Sequence, residues 1–266
     1  MKRAKALPVL MYHHVSPSPG LVTVSPAAFR DQIAALAAAG WRSAGLDEVE
    51  RFFRGEPLPA RTCVITFDDG YLDNFVYAHP VLAEFGMRAV LFVVTGWLGD
   101  GPVRDAKAAT PNHTECKQRI AAGDADSVMV RWSEMEAMAA ASTFEFHSHT
   151  HTHTRWDREL ADPAARRDAL AADLDLSRQM LIARLGECSR HLCWPQGYYD
   201  DDYIDTAQSV GFDHLYTTEI RVNTPATDPC RIARFVTKER PGDWLASRTR
   251  IYSRPWLGAL YSRFRG

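Results

Sequence analysis

Short apolar runs rich in β-branched and aromatic residues alternate along the chain with longer stretches whose apolar residues recur at helical spacing. Repeated βα units produce that pattern, and their strands assemble into a largely parallel sheet. The strand-like runs are Pro8 to Tyr12, Cys63-Val-Ile-Thr-Phe67, Ala89 to Val94, Thr143-Phe-Glu-Phe146, His191-Leu-Cys-Trp194, His214 to Thr217 and Ile232 to Val236. Ser25-Pro26 has the form of a helix N-cap followed by a first-turn proline. Phe29, Ile33 and Leu36 form the buried stripe of that helix and Gly40 its stop. Further helices are predicted from about Asn74 to Phe85, from the capping-box pattern Ser133-Glu-Met-Glu136, over about Pro163 to Leu185, and from Asp202 to Val210. The polar stretch 98–128, rich in Asp and Gly, shows no clear period and reads as an inserted loop and candidate lid. No repeat or linker-like composition divides the chain, so residues 1–266 are read as one domain.

Composition narrows the choice of partners. With 266 residues, 46% hydrophobic and 24% charged, the chain can bury a large α/β core, and its formal net charge of -2 supplies no basic field for nucleic acid. The basic start Met1-Lys2-Arg3-Ala4-Lys5 leads only into Val9-Leu10-Met11, too short for a signal peptide, and no run approaches the roughly 18 apolar residues of a membrane span. A soluble, cytoplasmic protein is expected. Five scattered cysteines fit a reducing compartment, and Cys188-Ser-Arg-His191-Leu-Cys193 lacks the second ligand pair of a structural zinc site.

Polar residues with chemical potential follow several of the strand-like runs. His13 and His14 follow the first, Asp68 and Asp69 the second, His147, His149, His151 and His153 the fourth, and Pro195-Gln-Gly197 the fifth. In a parallel barrel those strand ends converge on one face, where active sites lie. Adjacent carboxylates leaving a strand point apart, so in Asp68-Asp69-Gly70 one can bind a metal while the other takes a proton from water. An Asp-Gly turn with a capping Asp is the plainer explanation. Four imidazoles within seven residues shift the balance, because a spacing of i and i+4 can bring two of them onto one face of a helical turn as metal ligands. Two His and one Asp leave positions open for water and a carbonyl, the requirement for metal-assisted amide hydrolysis.

Thr66-Phe-Asp68-Asp69-Gly70, Ser148-His149-Thr-His-Thr-His153 and Trp194-Pro195-Gln-Gly197-Tyr198 together resemble the polysaccharide deacetylase family (NodB-homology, carbohydrate esterase family 4), over roughly residues 8–240. The resemblance implies a distorted (β/α) barrel of about seven parallel strands. It implies Asp68 as catalytic base, Asp69, His149 and His153 as ligands of a divalent metal, zinc with cobalt or nickel as alternatives, and Pro195, Gly197 and Tyr198 at the substrate and oxyanion. His147 and His151 share the i, i+4 spacing. The choice of register rests on Ser148-His149-Thr150, which leaves His147, His151 and His14 as supporting groups. Cys193 stands where the family has an Arg that orients the catalytic Asp, so that group is missing or supplied elsewhere. No His follows His214, so the family's late His acid has no counterpart. The opening Pro8-Val-Leu-Met-Tyr12-His13-His14-Val15 resembles the permuted poly-N-acetylglucosamine deacetylase branch, which implies His13 as the acid.

The expected activity is removal of N-acetyl groups from an amino-sugar glycan, with a lipid-linked or lipopolysaccharide intermediate as one substrate. A deformylase of a lipid-linked amino sugar and a non-catalytic glycan binder are the alternatives. The segment 241–266 interleaves basic, aromatic and apolar residues. It either contacts the inner membrane surface peripherally or packs as a last helix with a solvated basic face.

Overall fold

The computed structural model describes residues 3–105 and 107–263. Its strands are β1 (Val9–Tyr12), β2 (His14–Val15), β3 (Thr23–Val24), β4 (Arg42–Ser43), β5 (Thr62–Phe67), β6 (Ala89–Val93), β7 (Phe144–Ser148), β8 (His191–Cys193), β9 (His214–Tyr216) and β10 (Phe235–Val236). Its α-helices are α1 (Pro26–Ala38), α2 (Leu46–Phe53), α3 (His79–Glu84), α4 (His113–Ala121), α5 (Trp132–Ala140), α6 (Trp156–Glu159), α7 (Pro163–Leu185), α8 (Asp201–Val210), α9 (Gly242–Tyr252) and α10 (Pro255–Arg263).

Seven parallel strands in the order β10-β1-β5-β6-β7-β8-β9 curl into a half-barrel, the distorted (β/α) barrel expected from the sequence. β4 pairs beside the start of β5, and β2-β3 forms a separate ribbon. The two ends of the sheet meet through one run of chain. Ile232 exchanges hydrogen bonds with Leu215 and Thr217 (2.9 Å each), and β10 then pairs with Leu10 and Met11 of β1.

Alternate strand residues serve two cores. Leu10, Ile65, Leu91 and Val93 pack outward under the helices, while Val9, Val64, Val90, Phe92 and Tyr216 fill the barrel interior. Each fully buried aliphatic side chain contributes roughly 1.5–3 kcal/mol, so strands apolar on both faces are stable only when sheathed on both. Ser25 caps α1 by accepting from the Ala28 amide (3.2 Å), and Phe29, Ile33 and Leu36 are buried as the pattern predicts.

Three local expectations are corrected. The helix predicted from Asn74 begins as a π turn over Asn74–Ala78, and only α3 beyond it is α-helical. The stretch 98–128 is not a structureless loop, because it carries α4 and a 3₁₀ turn at Ala125–Ser127. Cys116 is the only buried residue of α4, so there was no apolar stripe to read. Arg104 pins this insertion by a forked ion pair to the buried Glu134 (2.8 and 2.7 Å). α5 starts before the predicted capping box: Glu134, not Glu136, accepts from the Arg131 amide (2.8 Å), and Ser133 donates to the Gly101 carbonyl instead. The basic C-terminal segment forms α9, which packs on α1, and α10; residues 264–266 of that segment lie outside the described residues.

Candidate active site

β5 ends at Phe67, and the Asp68 amide still donates to Tyr12 (3.1 Å) before the chain breaks away. Asp69 then adopts φ 74° and Gly70 φ 94°, a left-handed turn that separates the two carboxylates. A side chain rarely tolerates that conformation, yet Asp69, Thr150, His153 and Gln196, four of the seven non-glycine residues with positive φ among the described residues, all lie in the segments that build this site. Such clustering of backbone strain is typical of functional centres.

His149 and His153 meet through this strained loop and not through the helical turn suggested by their spacing. The segment after β7 is irregular, tied by Thr95 and Gly96 amides to the Thr150 and His151 carbonyls. His149 Nε2 lies 3.3 Å and His153 Nε2 3.4 Å from Asp69 Oδ1. Donors about 2.1 Å from a tetrahedral ion stand about 3.4 Å apart, so the three residues fit a divalent metal. The Cys193 carbonyl accepts from His149 Nδ1 (2.8 Å), which fixes the tautomer with Nε2 free to ligate. Burial pushes His153 down to about 4, keeping its imidazole neutral. Burial also raises Asp69, but the two histidines outweigh it and hold the carboxylate well below its usual range. Asp68, His149 and Cys193 also approach one another closely enough to share an ion. That set fits less well, because Arg234 occupies both Asp68 oxygens and burial raises the Cys193 thiol.

Arg234 is the main residue that the sequence reading missed. It arrives between Ile232 and β10 and forks onto Asp68 at 2.6 and 2.8 Å, fully buried. Its remaining N–H groups reach Thr217 O (2.9 Å), Thr66 Oγ1 (3.2 Å) and Cys193 Sγ (3.1 Å), so all five donors are used. The arginine absent at position 193 is thus supplied from the segment just before β10, and the small Cys193 leaves room for it. Burial is the largest influence on Asp68 and pushes it upward, but Arg234 and His13 together leave it below an ordinary aspartate. A charged residue inside the apolar run Ile232 to Val236 was the available signal.

His13 Nε2 stands 3.7 Å from Asp68 Oδ2 with its side chain 19% exposed. Burial lowers its pKa, opposed by the two aspartates. His14 is buried, bound to Asp73 through Nδ1 (2.5 Å), stacked on Tyr71, and 3.2 Å from His113 of α4. His151 turns to Thr95 Oγ1 (3.0 Å). His147 lies within β7, not after it, and meets Ser189 (2.6 Å) and the His191 ring in the barrel, away from the triad.

A cavity of about 600 Å³ opens above these groups, lined by His13, Asp68, Asp69, His149 and His153 and walled by Tyr71, Trp97, His113, Trp194, Gln196, Gly197 and Thr218. Tyr198 is turned to Asp200 and under Arg155, outside this lining. The Gly197 and Tyr198 amides already donate to Trp194 O (2.9 Å) and Pro195 O (3.3 Å). The intervening Gln196, held at φ 55°, lines the cavity. Gly197 is required here: a Cβ would stand 2.2 Å from Thr218 Oγ1.

The chain belongs to the polysaccharide deacetylase family, whose model matches residues 55–215. A stretch of 94 residues is 36% identical to YxkH of Bacillus subtilis (strain 168), covering 35% of this chain and 33% of that one. Another of 78 residues is 33% identical to the poly-beta-1,6-N-acetyl-D-glucosamine N-deacetylase of Escherichia coli (strain K12), covering 29% and 12%. These matches span a third or less of the relatives' own length. The fold is that of IcaB from Ammonifex degensii (TM-score 0.74, 23% identity, 95% of this chain and 99% of that one). It is equally that of the deacetylase PplD from Streptococcus pyogenes (TM-score 0.73, 21% identity, 92% and 97%). The family match ends before Arg234 and begins after His13, so these two residues enter the site from its flanks.

Proposed function

We propose that the protein hydrolyses the N-acetyl amide of an amino-sugar glycan, with a divalent metal, zinc first, held by Asp69, His149 and His153. The observation that carries this reading is Asp68, an ionised buried carboxylate held by Arg234 beside three residues spaced as metal ligands on the floor of an open cavity. Bound there, such an ion polarises the amide carbonyl and acidifies water. Asp68 accepts the proton of the attacking water, and Arg234 keeps it ionised and aimed. His13, on the same wall, protonates the departing nitrogen, so that acetate and a free amine leave. Trp97, half-buried on the cavity wall, provides an apolar ring against which a sugar face can pack. With Arg234 on Asp68, one of the two departures that favoured a non-catalytic binder loses its force.

The test is acetate release from N-acetylglucosamine oligomers and from a lipid-linked glycan extract by chelator-treated protein, with and without added zinc. Release should depend on the metal, and Asp68→Asn should lower it by roughly 10²–10⁴ while metal binding persists. Formate released in place of acetate would assign the deformylase. Tight metal binding with no product from any substrate would sink the catalytic reading.

A further inference from the structure

At the opposite end of the strands from Asp68 lies a second cavity, of about 590 Å³, over the buried Trp41. Arg3 and Lys5 reach it from the segment before β1, Arg61 from the residue before β5, and Arg250 and Arg254 from the junction of α9 and α10. All five cations are exposed, and none has a carboxylate partner within 4 Å among the described residues. Other surface cations, Arg158, Arg178 and Arg240 among them, also lack such a partner, but these five are gathered around one cavity. Arg30, Arg42, Arg51, Arg54, Arg119, Arg131 and Arg167, by contrast, each meet an acid. The C-terminal turn of α9 contributes only about half a negative charge, so the cluster repels itself unless an anion joins it.

Arg254 leads directly into α10, whose outer face carries Trp256 and Leu260, 70% and 48% exposed. Ala259 and Arg263 share that exposed face, spaced i+3 and i+7 from Trp256, so an apolar strip of helix bordered by cations is left uncovered. Gly258 faces inward, where a Cβ would stand 2.4 Å from Val222, so α10 is seated on the domain and presents this strip in a fixed orientation.

We propose that the five-cation cavity is a binding site for the phosphate of an anionic phospholipid headgroup, and that α10 inserts Trp256 and Leu260 beside it at the bilayer interface. Charge selects the lipid and the aromatic and aliphatic side chains supply the apolar contact, the pairing that holds amphipathic helices at membranes. The proposal is independent of the catalytic reading and uses none of its residues.

The experiment is co-sedimentation of the full chain with vesicles of phosphatidylcholine alone or mixed with phosphatidylglycerol, at low and high salt. The chain should bind the anionic vesicles, less so as salt rises, and leave neutral ones in solution. Arg250→Glu with Arg254→Glu should reduce binding by at least about tenfold, and Trp256→Ala with Leu260→Ala should weaken it, with thermal melts unchanged. Arg250→Gln with Arg254→Gln serves if the reversed charges perturb the fold. Equal binding to neutral vesicles would overturn the headgroup site. So would saturable binding of inorganic phosphate without vesicle binding, or a concentration-dependent dimer abolished by Trp256→Ala.

Discussion

Asp68 and Arg234 are each buried with one charge, and each is tolerable only because of the other. Removing one partner of such a pair costs about 3–5 kcal/mol, whereas removing both costs far less. Arg234→Met should therefore lower the urea midpoint strongly, and Asp68→Asn combined with Arg234→Met should recover most of the loss; additive losses would mean that the pair is not coupled. Because Asp68 lies below its unfolded value, it stabilises the native state above the ordinary aspartate pKa, and that contribution disappears as pH falls through its folded pKa. In Arg234→Met burial acts unopposed by the guanidinium, so the acid limb of the pH–rate profile should move to higher pH. Asp68, Asp69, His149 and His153 were legible because they sit next to one another or follow one strand in a recognisable order. Arg234 was not, because it acts across 166 positions of sequence and no local pattern marks which side chain will fill the space beside Cys193.

Elements were legible wherever burial imposes a period. α7, with Asp162 accepting from the Ala165 amide, Pro163 in the first turn and Gly186 at φ 85°, spans the residues its punctuation predicts. The π turn at Asn74 and α4 were not, since the first keeps helical composition and the second buries almost nothing. The convergence of His149 and His153 was anticipated for the wrong reason: left-handed Thr150 and His153, not a helical repeat, bring the rings together. At the contact of α1 with α9, Gly242 approaches so closely that a Cβ would lie 2.3 Å from the Asp31 carbonyl, and its amide donates to Asp31 Oδ2 (2.6 Å). Gly242→Ala must push these helices apart, and a loss of about 1–3 kcal/mol is expected in denaturant melts. An unchanged midpoint would show that α9 can shift without cost.

Across the whole molecule, the barrel interior also carries a buried histidine that the site does not use. His191 is fully buried between Tyr216 and Glu50, and burial lowers it to about 3, so it folds neutral. The unfolded chain takes up a proton near pH 6.5 that the native state refuses until about pH 3. The contribution of His191 to stability should therefore fall as pH drops through that window, by about 2 kcal/mol at pH 5 relative to pH 7. Urea melts at the two pH values measure it by comparison with His191→Gln, which should shrink the difference by that amount. No helix among the described residues is long and apolar enough to cross a membrane. The closure of the sheet by residues 232–236 against β1 has a consequence for biosynthesis. A ribosome that has delivered Asp69, His149 and His153 has still not released the arginine that neutralises Asp68. The emerging chain therefore carries an uncompensated charge at the centre of its barrel. Its first strand waits for nearly the last, so folding should complete only after translation of the final strand, in one late step.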